Sequence, residues 1–290
     1  MDSGAFSRFP DSWPLIPDFW FLVFMWIDEL RTLRKDKLIG REIVFFPAID
    51  STNRMALDLA RQGTREGTVV MADSQSRGRG RRGRAWESPA GVNVYASIVL
   101  KPPIPASAAP QLTLLAGVAA ARALAGVSGL DASIKWPNDI FVSGRKLAGI
   151  LSEMEAEGAD TRFIILGIGV NVNWREEELP HDLRETATSL CVEKGGEVSR
   201  AAVAAGLFQE LEEVYFRFKQ EGFSRRLQEE WNRLSWINGK RVAIMGPDGE
   251  VSGQALGLDL DGALLLVDEQ GQTRRFLAGD VSLRRMDQEE

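Results

Sequence analysis

The sequence predicts an α+β fold: a central mixed or antiparallel sheet with flanking helices, followed by a small C-terminal β-barrel. Three observations predict it. Short strand-patterned runs between residues 41 and 172 are separated by turn pairs such as Ser143-Gly144 and Glu157-Gly158, the pattern of antiparallel hairpins. Stretches 111–125, 200–219 and 223–234 read as helices that can cover one face of such a sheet. After Ile237-Asn238-Gly239 the texture changes to short strands broken by Gly246 to Gly249, Asp261-Gly262 and Gln270-Gly271, which reads as a barrel. The expected division is an extension over 1–37, a main body over 38–236 and the barrel over 237–290.

The elements follow in order. Phe19 to Ile27 is an unbroken apolar run, far short of the about 20 residues a membrane helix needs. Asp2, Asp11 and Asp18 precede it where a signal peptide would be basic. A short amphipathic helix over 18–37 packing on the main body is the expectation; a disordered leader or an upstream start codon are the alternatives. Residues 41–46 read as a strand. Ser51-Thr52-Asn53 stands before a helical stretch, 54–61, closed by Gly63, and a Ser or Thr there is an N-cap signal. Strands are expected at 68–72 and 92–100, the second ended by Pro102, Pro103 and Pro105. Further strands are expected at 132–135, 140–142, 147–155 and 161–172, and 173–197 reads as polar and irregular.

Composition narrows the function. At 290 residues the chain has room for roughly two domains of about 150 residues each. A net charge of −6 argues against a protein that coats nucleic acid. One cysteine, Cys191, and one histidine, His181, exclude an intrachain disulfide and leave too few ligands for a Cys/His zinc site. A reducing, cytoplasmic setting fits such cysteine usage.

Against that acidic background stands Arg77-Gly78-Arg79-Gly80-Arg81-Arg82-Gly83-Arg84-Ala85-Trp86. Glycine costs about 1 kcal/mol per residue in a helix interior and arginines resist unpaired burial, so this is a cationic loop. Alone it has three readings: an RNA-binding segment, a solvated linker, or a clamp for a small anion. Its position between two strands favours the clamp. Lys135-Trp136-Pro137-Asn138-Asp139 reads as a turn between strands, and Pro137 biases Trp136 away from helix. Lys146, at the start of an apolar strand, can bury its stem and keep its charge usable, or can simply guard a strand edge. Gly167 and Gly169 sit in a strand where glycine permits close approach, and Asn171 and Asn173 follow with period two. With neither His nor Cys available, chemistry here must run on positioning and charge stabilisation. That suits attack of a carboxylate on the α-phosphate of ATP.

Ser51-Thr52-Asn53, the Arg/Gly loop ending at Trp86, Lys135 to Asp139, and Arg145-Lys146-Leu147-Ala148-Gly149-Ile150, in that order, closely resemble the bacterial biotin protein ligases. The resemblance runs from about Leu38 to Arg285. It implies the class II synthetase-like biotin/lipoate ligase fold with an SH3-like C-terminal barrel. It also implies formation of biotinyl-5′-AMP from biotin and MgATP, then transfer of biotin to a lysine of a biotin carboxyl carrier protein, the acetyl-CoA carboxylase subunit, or another biotin-dependent carboxylase domain.

By that resemblance, Ser51, Thr52, Asn53 and Gln75 hold the ureido ring, and Arg79, Gly80 and Arg81 surround biotin and its carboxylate. Arg81 and Arg84 face the phosphates and Trp86 covers the adenylate. Lys146 holds both the carboxylate and the α-phosphate, so Lys146 and Arg81 are the catalytic candidates. Asn138, Asp139 and Asn171 serve the nucleotide, with Asp139 at the Mg2+, and Arg284 reaches the ATP site from the barrel. Some members also repress transcription through an N-terminal winged helix of about sixty residues. The forty residues here are Trp/Phe-rich without a basic recognition helix, so neither DNA nor membrane is an expected partner. The resemblance allows a homodimer. A lipoate ligase and a nucleic-acid-binding regulator are the competing readings.

Overall fold

The computed structural model describes residues 17–34, 37–246 and 249–283. The first described element is α1 (Pro17–Arg34); of the expected 18–37 span, residues 35 and 36 lie outside the described residues and Lys37 is not helical. The C-terminal half of α1 packs on the main body: Ile27 and Leu30 are fully buried, and Arg34 reaches Glu212 at 3.0 Å.

The main body is one seven-stranded sheet. Its strands are β1 (Ile43–Ile49), β2 (Val69–Gln75), β3 (Val94–Leu100), β4 (Ser133–Lys135), β5 (Asp139–Val142), β6 (Arg145–Glu157) and β7 (Asp160–Val170). They lie in the order β1-β2-β3-β7-β6-β5-β4. Only β1–β2 is a parallel pair and every other pair is antiparallel, so the sheet is mixed. The parallel pair follows from chain length: α2 (Thr52–Arg61) is the crossover that returns the chain in the same direction. β3 is buried at all seven positions and lies inside the sheet, between β2 and β7, as an apolar strand covered on both faces must.

Helices α3 (Pro110–Ser128), α5 (Arg200–Glu221) and α6 (Arg225–Leu234) cover one face, while the short α4 (Leu190–Lys194) lies in the irregular segment. By length and composition α3 could cross a membrane, but it is a core helix. Eleven of its residues are buried among the sheet and the neighbouring helices. Gly117 lets it approach β4, where an added Cβ would sit 3.4 Å from Ile134.

The second sheet holds β8 (Arg241–Gly246), β9 (Gly249–Leu258), β10 (Leu264–Asp268), β11 (Thr273–Phe276) and β12 (Asp280–Leu283). It is antiparallel throughout, in the order β11-β10-β9-β8-β12. Its apolar face, including Ile244, Leu258, Leu264 and Val281, merges with the main core. That packing presses β12 against the pocket described next.

Candidate active site

A pocket opens where the ends of the strands from both sheets meet. Its lining runs from Ser51, Thr52, Asn53 and Gln75 through Trp86, Lys146 and Gly149 to Lys135, Asn138, Asp139 and Asp280.

The first end is polar and closely hydrogen-bonded. Ser51 holds the N-cap position of α2 with an extended backbone, but its hydroxyl makes no capping bond. Thr52 donates to Gln75 Oε1 from both its backbone N–H (2.9 Å) and its hydroxyl (3.1 Å). Ser97 joins this end, with its hydroxyl 2.6 Å from Asn53 Oδ1 and 2.8 Å from Thr52 Oγ1. Asn53 Nδ2 donates to Glu153 at 2.8 Å. All three α2-start residues are at most 5% exposed. Neutral donors and acceptors are gathered here with one carboxylate, Glu153, which Arg79 neutralises at 2.9 Å.

The floor is made by glycines, and the close approach they permit is to the protein's own side chains. A Cβ on Gly167 would collide with Asn53, and one on Gly169 would lie 2.6 Å from the Trp86 indole. Trp86 therefore lies flat against β6 and β7. Its Nε1–H is buried with no acceptor among the described residues.

The Arg/Gly loop is folded down over this floor. Arg79 and Ala85 pair as an isolated bridge, and Gly80 N–H donates to Arg84 O at 2.7 Å. Arg82 (φ 54°) and Gly83 (φ 74°) turn the chain at the tip in left-handed backbone, which a glycine adopts without strain. From there the arginines converge on one carboxylate of the second sheet. Asp280 lies 3.3 Å from Arg81, 3.2 Å from Arg82 and 2.9 Å from Arg84. Arg81 also donates to Asn138 Oδ1 (3.2 Å) and Gly279 O (3.2 Å). Burial lowers its guanidinium pKa, against the opposing pull of Asp280.

Lys146 sits at the centre. Its Nζ is 2.7 Å from Asp139 and 5.3 Å from the centre of the Trp86 ring. The irregular segment explains its placement: Lys146 N–H donates to Thr186 O, and Thr188 N–H returns to Lys146 O, flanking the start of β6. Glu193 fastens that flank by accepting from Arg145, Ser143 and Thr188. Burial alone would push the Glu193 carboxyl up, but these hydrogen bonds hold it below the ordinary range. Asn138 is anchored by its Nδ2 to Ile150 O at 2.8 Å.

The structure thus brings together Ser51, Thr52, Asn53, Gln75, Arg79, Gly80, Arg81, Arg84, Trp86, Asn138, Asp139 and Lys146. It places Asn171 outside the lining. There the Asn171 amide donates to Thr188 O at 2.9 Å, and its N–H donates to Leu147 O at 3.0 Å. Asn173 is hydrogen-bonded through its amide to the Val198 backbone, and both asparagines lie beyond the end of β7. Arg284 lies outside the described residues. Sequence reasoning missed Asp280, Glu153 and Ser97, and took Lys135 only as part of a turn. Spacing along the chain offers no signal for Asp280, which lies 196 residues from Arg84.

Asp139 is the carboxylate that Lys146 neutralises, and the described residues contain no group of three His, Cys, Asp or Glu side chains able to hold a metal ion. Such a donor set does not make a resident metal cage. It fits an Mg2+ that arrives on a nucleotide and takes most of its oxygen ligands from phosphates and water.

The biotin/lipoate A/B protein ligase family model matches residues 45–171, and the biotin protein ligase C-terminal domain model matches residues 238–284. The bifunctional ligase/repressor BirA of Bacillus spizizenii is 36% identical over 255 residues, covering 88% of this chain and 78% of that protein. The biotin–[acetyl-CoA-carboxylase] ligase of Mycobacterium tuberculosis is 34% identical over 266 residues, covering 88% of this chain and 95% of that one. Among solved structures, the biotin protein ligase from Aquifex aeolicus in complex with biotin and ATP superposes with a TM-score of 0.73. It is 30% identical and covers 84% of this chain and 99% of that one.

Proposed function

The chain belongs to the biotin protein ligase family, and on that premise we propose that its pocket makes biotinyl-5′-AMP from biotin and ATP and passes biotin to a lysine of a carboxylase carrier domain. One observation carries the reading beyond family membership. Four cations of the lining, Arg81, Arg84, Lys146 and Lys135, face two carboxylates, Asp139 and Asp280. The excess positive charge lies beside a neutral, hydrogen-bonding end. A ligand with a polar uncharged head and a carboxylate, joined to a polyphosphate, matches both ends.

In this mechanism Thr52, Asn53 and Gln75 exchange their hydrogen bonds for those of the ureido ring, Ser51 offers its hydroxyl, and Ser97 holds Thr52 and Asn53 from behind. Lys146 leaves Asp139 to hold the biotin carboxylate against the α-phosphate, and Arg81 takes charge that develops on the phosphoryl oxygens. The carboxylate is already a nucleophile, so no general base is required. Arg84 and Asn138 serve the nucleotide, and Trp86 covers the adenylate and excludes water from it. Arg79 and Gly80 shape the loop around biotin. Asp139, released by Lys146, is the residue that would hold a nucleotide-borne Mg2+, which would supply charge neutralisation of the phosphates. Asn171 acts from behind, fixing Leu147 and Thr188 on either side of Lys146, and Arg284 keeps the nucleotide role that the resemblance gives it. Operator DNA binding is not part of the proposed activity, and the cytoplasm is the proposed compartment.

ATP–pyrophosphate exchange with biotin, compared with lipoate, tests the reading. Exchange with biotin and none with lipoate is expected. Exchange with lipoate alone would overturn it, as would salt-sensitive DNA binding by a protein with no exchange activity.

A further inference from the structure

Among the pocket's cations Lys135 is the exception. Arg81, Arg82 and Arg84 share Asp280, and Lys146 holds Asp139. The Lys135 ammonium makes no ion pair and no side-chain hydrogen bond among the described residues, and its one close side-chain contact is the Phe141 ring, 5.2 Å from Nζ. It is nevertheless half-buried and lines the pocket. Burial lowers its pKa, against the raising fields of Asp139 and Asp280. A cation removed from water without a counter-ion costs stability. The Arg81 and Lys146 pairs show that carboxylates are present nearby, yet neither closes on Lys135.

The sheet order says which anion that cation faces. The hydrogen-bonding end of the pocket is built from the start of α2 with β2 and β3, Lys146 is on β6, and Lys135 is on the far edge strand β4. In an in-line displacement the leaving group departs opposite the incoming nucleophile. A carboxylate held at Lys146 by a molecule whose head lies at Thr52 therefore drives the leaving group toward β4. The barrel's Asp280 and Val281 close that same end.

Resting on the ligase reading above, we propose that Lys135 anchors a subsite for the β- and γ-phosphates of the nucleotide and holds the departing diphosphate. The carboxylate oxygen forms a bond to the α-phosphorus, and the α–β bridging P–O bond breaks. Its electron pair leaves on the diphosphate, whose new negative charge the Lys135 ammonium meets. No proton is transferred.

The two half-reactions separate this role from a structural one. In the full chain, Lys135→Ala and the uncharged but polar Lys135→Gln are compared with the parent protein for pyrophosphate exchange. They are also compared for transfer from pre-formed biotinyl-5′-AMP to a carrier domain. Loss of a charge-assisted contact predicts a rise of about 10-fold or more in the KM for diphosphate and for ATP. Biotin binding and transfer from the pre-formed adenylate should stay within about 3-fold, and Lys135→Arg should recover part of the loss. An unchanged diphosphate KM in a folded Gln variant overturns the subsite while leaving the ligase reading intact. Equal losses in both half-reactions overturn it as well, since a general packing defect would produce them. A parent protein without biotin-dependent exchange overturns both.

Discussion

At the scale of single residues, the pocket holds its charges in reserve. Lys146 and Asp139 neutralise each other at 2.7 Å with neither side chain fully buried, so water limits the strength of the pair. A ligand carboxylate can displace Asp139, whose Oδ1 has no hydrogen-bond partner among the described residues beyond this ion pair and is left to take a cation that arrives with the nucleotide. Lys146→Ala should therefore leave the fold intact and lower biotin-dependent exchange by about 100-fold or more, as loss of a group that meets developing charge does. Near-normal turnover by a variant with the parent's melting temperature would remove Lys146 from the reaction. The sequence made Lys146, Arg81 and Trp86 legible because they lie in short local motifs. Asp280 and Ser97 stayed hidden because their partners lie on other elements. Gly167 and Gly169 were legible as positions of close approach, but not as seats for Asn53 and Trp86, since a glycine does not declare what it admits.

At the scale of elements, the N-terminal helix is the part whose importance the sequence least conveyed. Its apolar run was expected to pack on the main body, but without any indication of which residues it would meet, and residues 1–16 lie outside the described structure. Yet Ile27 and Leu30 are fully buried, Trp26 meets Phe45 edge-on at 5.9 Å, and Arg200 stacks 4.4 Å from the Trp26 ring. That same arginine pairs with the buried Asp73 at 2.7 Å and donates to Asn93 O. Asp73 in turn accepts from Gly91 N–H, in the segment that follows Trp86. A chain beginning at Leu38 would thus lose core contacts as well as an extension. Burial of two aliphatic side chains at about 1.5–3 kcal/mol each predicts a melting temperature lower by on the order of 10 °C. Calorimetry of the truncated and full chains checks this, and equal melting temperatures would show that α1 is dispensable. By contrast, the hairpins and the two C-terminal helices of the main body were readable because apolar periodicity is local.

At the scale of the whole molecule, the second sheet controls the loop that closes the pocket. From sequence the loop is a cationic segment that would close on arrival of an anion. In the structure it is already closed, and the anion is Asp280, delivered by β12 from the opposite end of the chain. Three guanidiniums on one carboxylate leave the group with net positive charge, so the contact holds the loop without saturating it. Phosphate oxygens, with more charge than one carboxylate, can compete for the same arginines. The C-terminal sheet thereby becomes part of the pocket's closure, although it contributes few of the lining residues. Asp280→Asn should loosen the ligand-free loop while preserving both sheets, because the Asn138 and Gly279 contacts to Arg81 remain. Limited trypsin digestion reports this directly, since Arg77 to Arg84 are five cleavage sites in one loop. The variant should be cut several-fold faster than the parent in the absence of ligand, and biotin with MgATP should return both to the same slow rate. Identical rates without ligand would mean that the loop's own turn, and not the second sheet, keeps it closed.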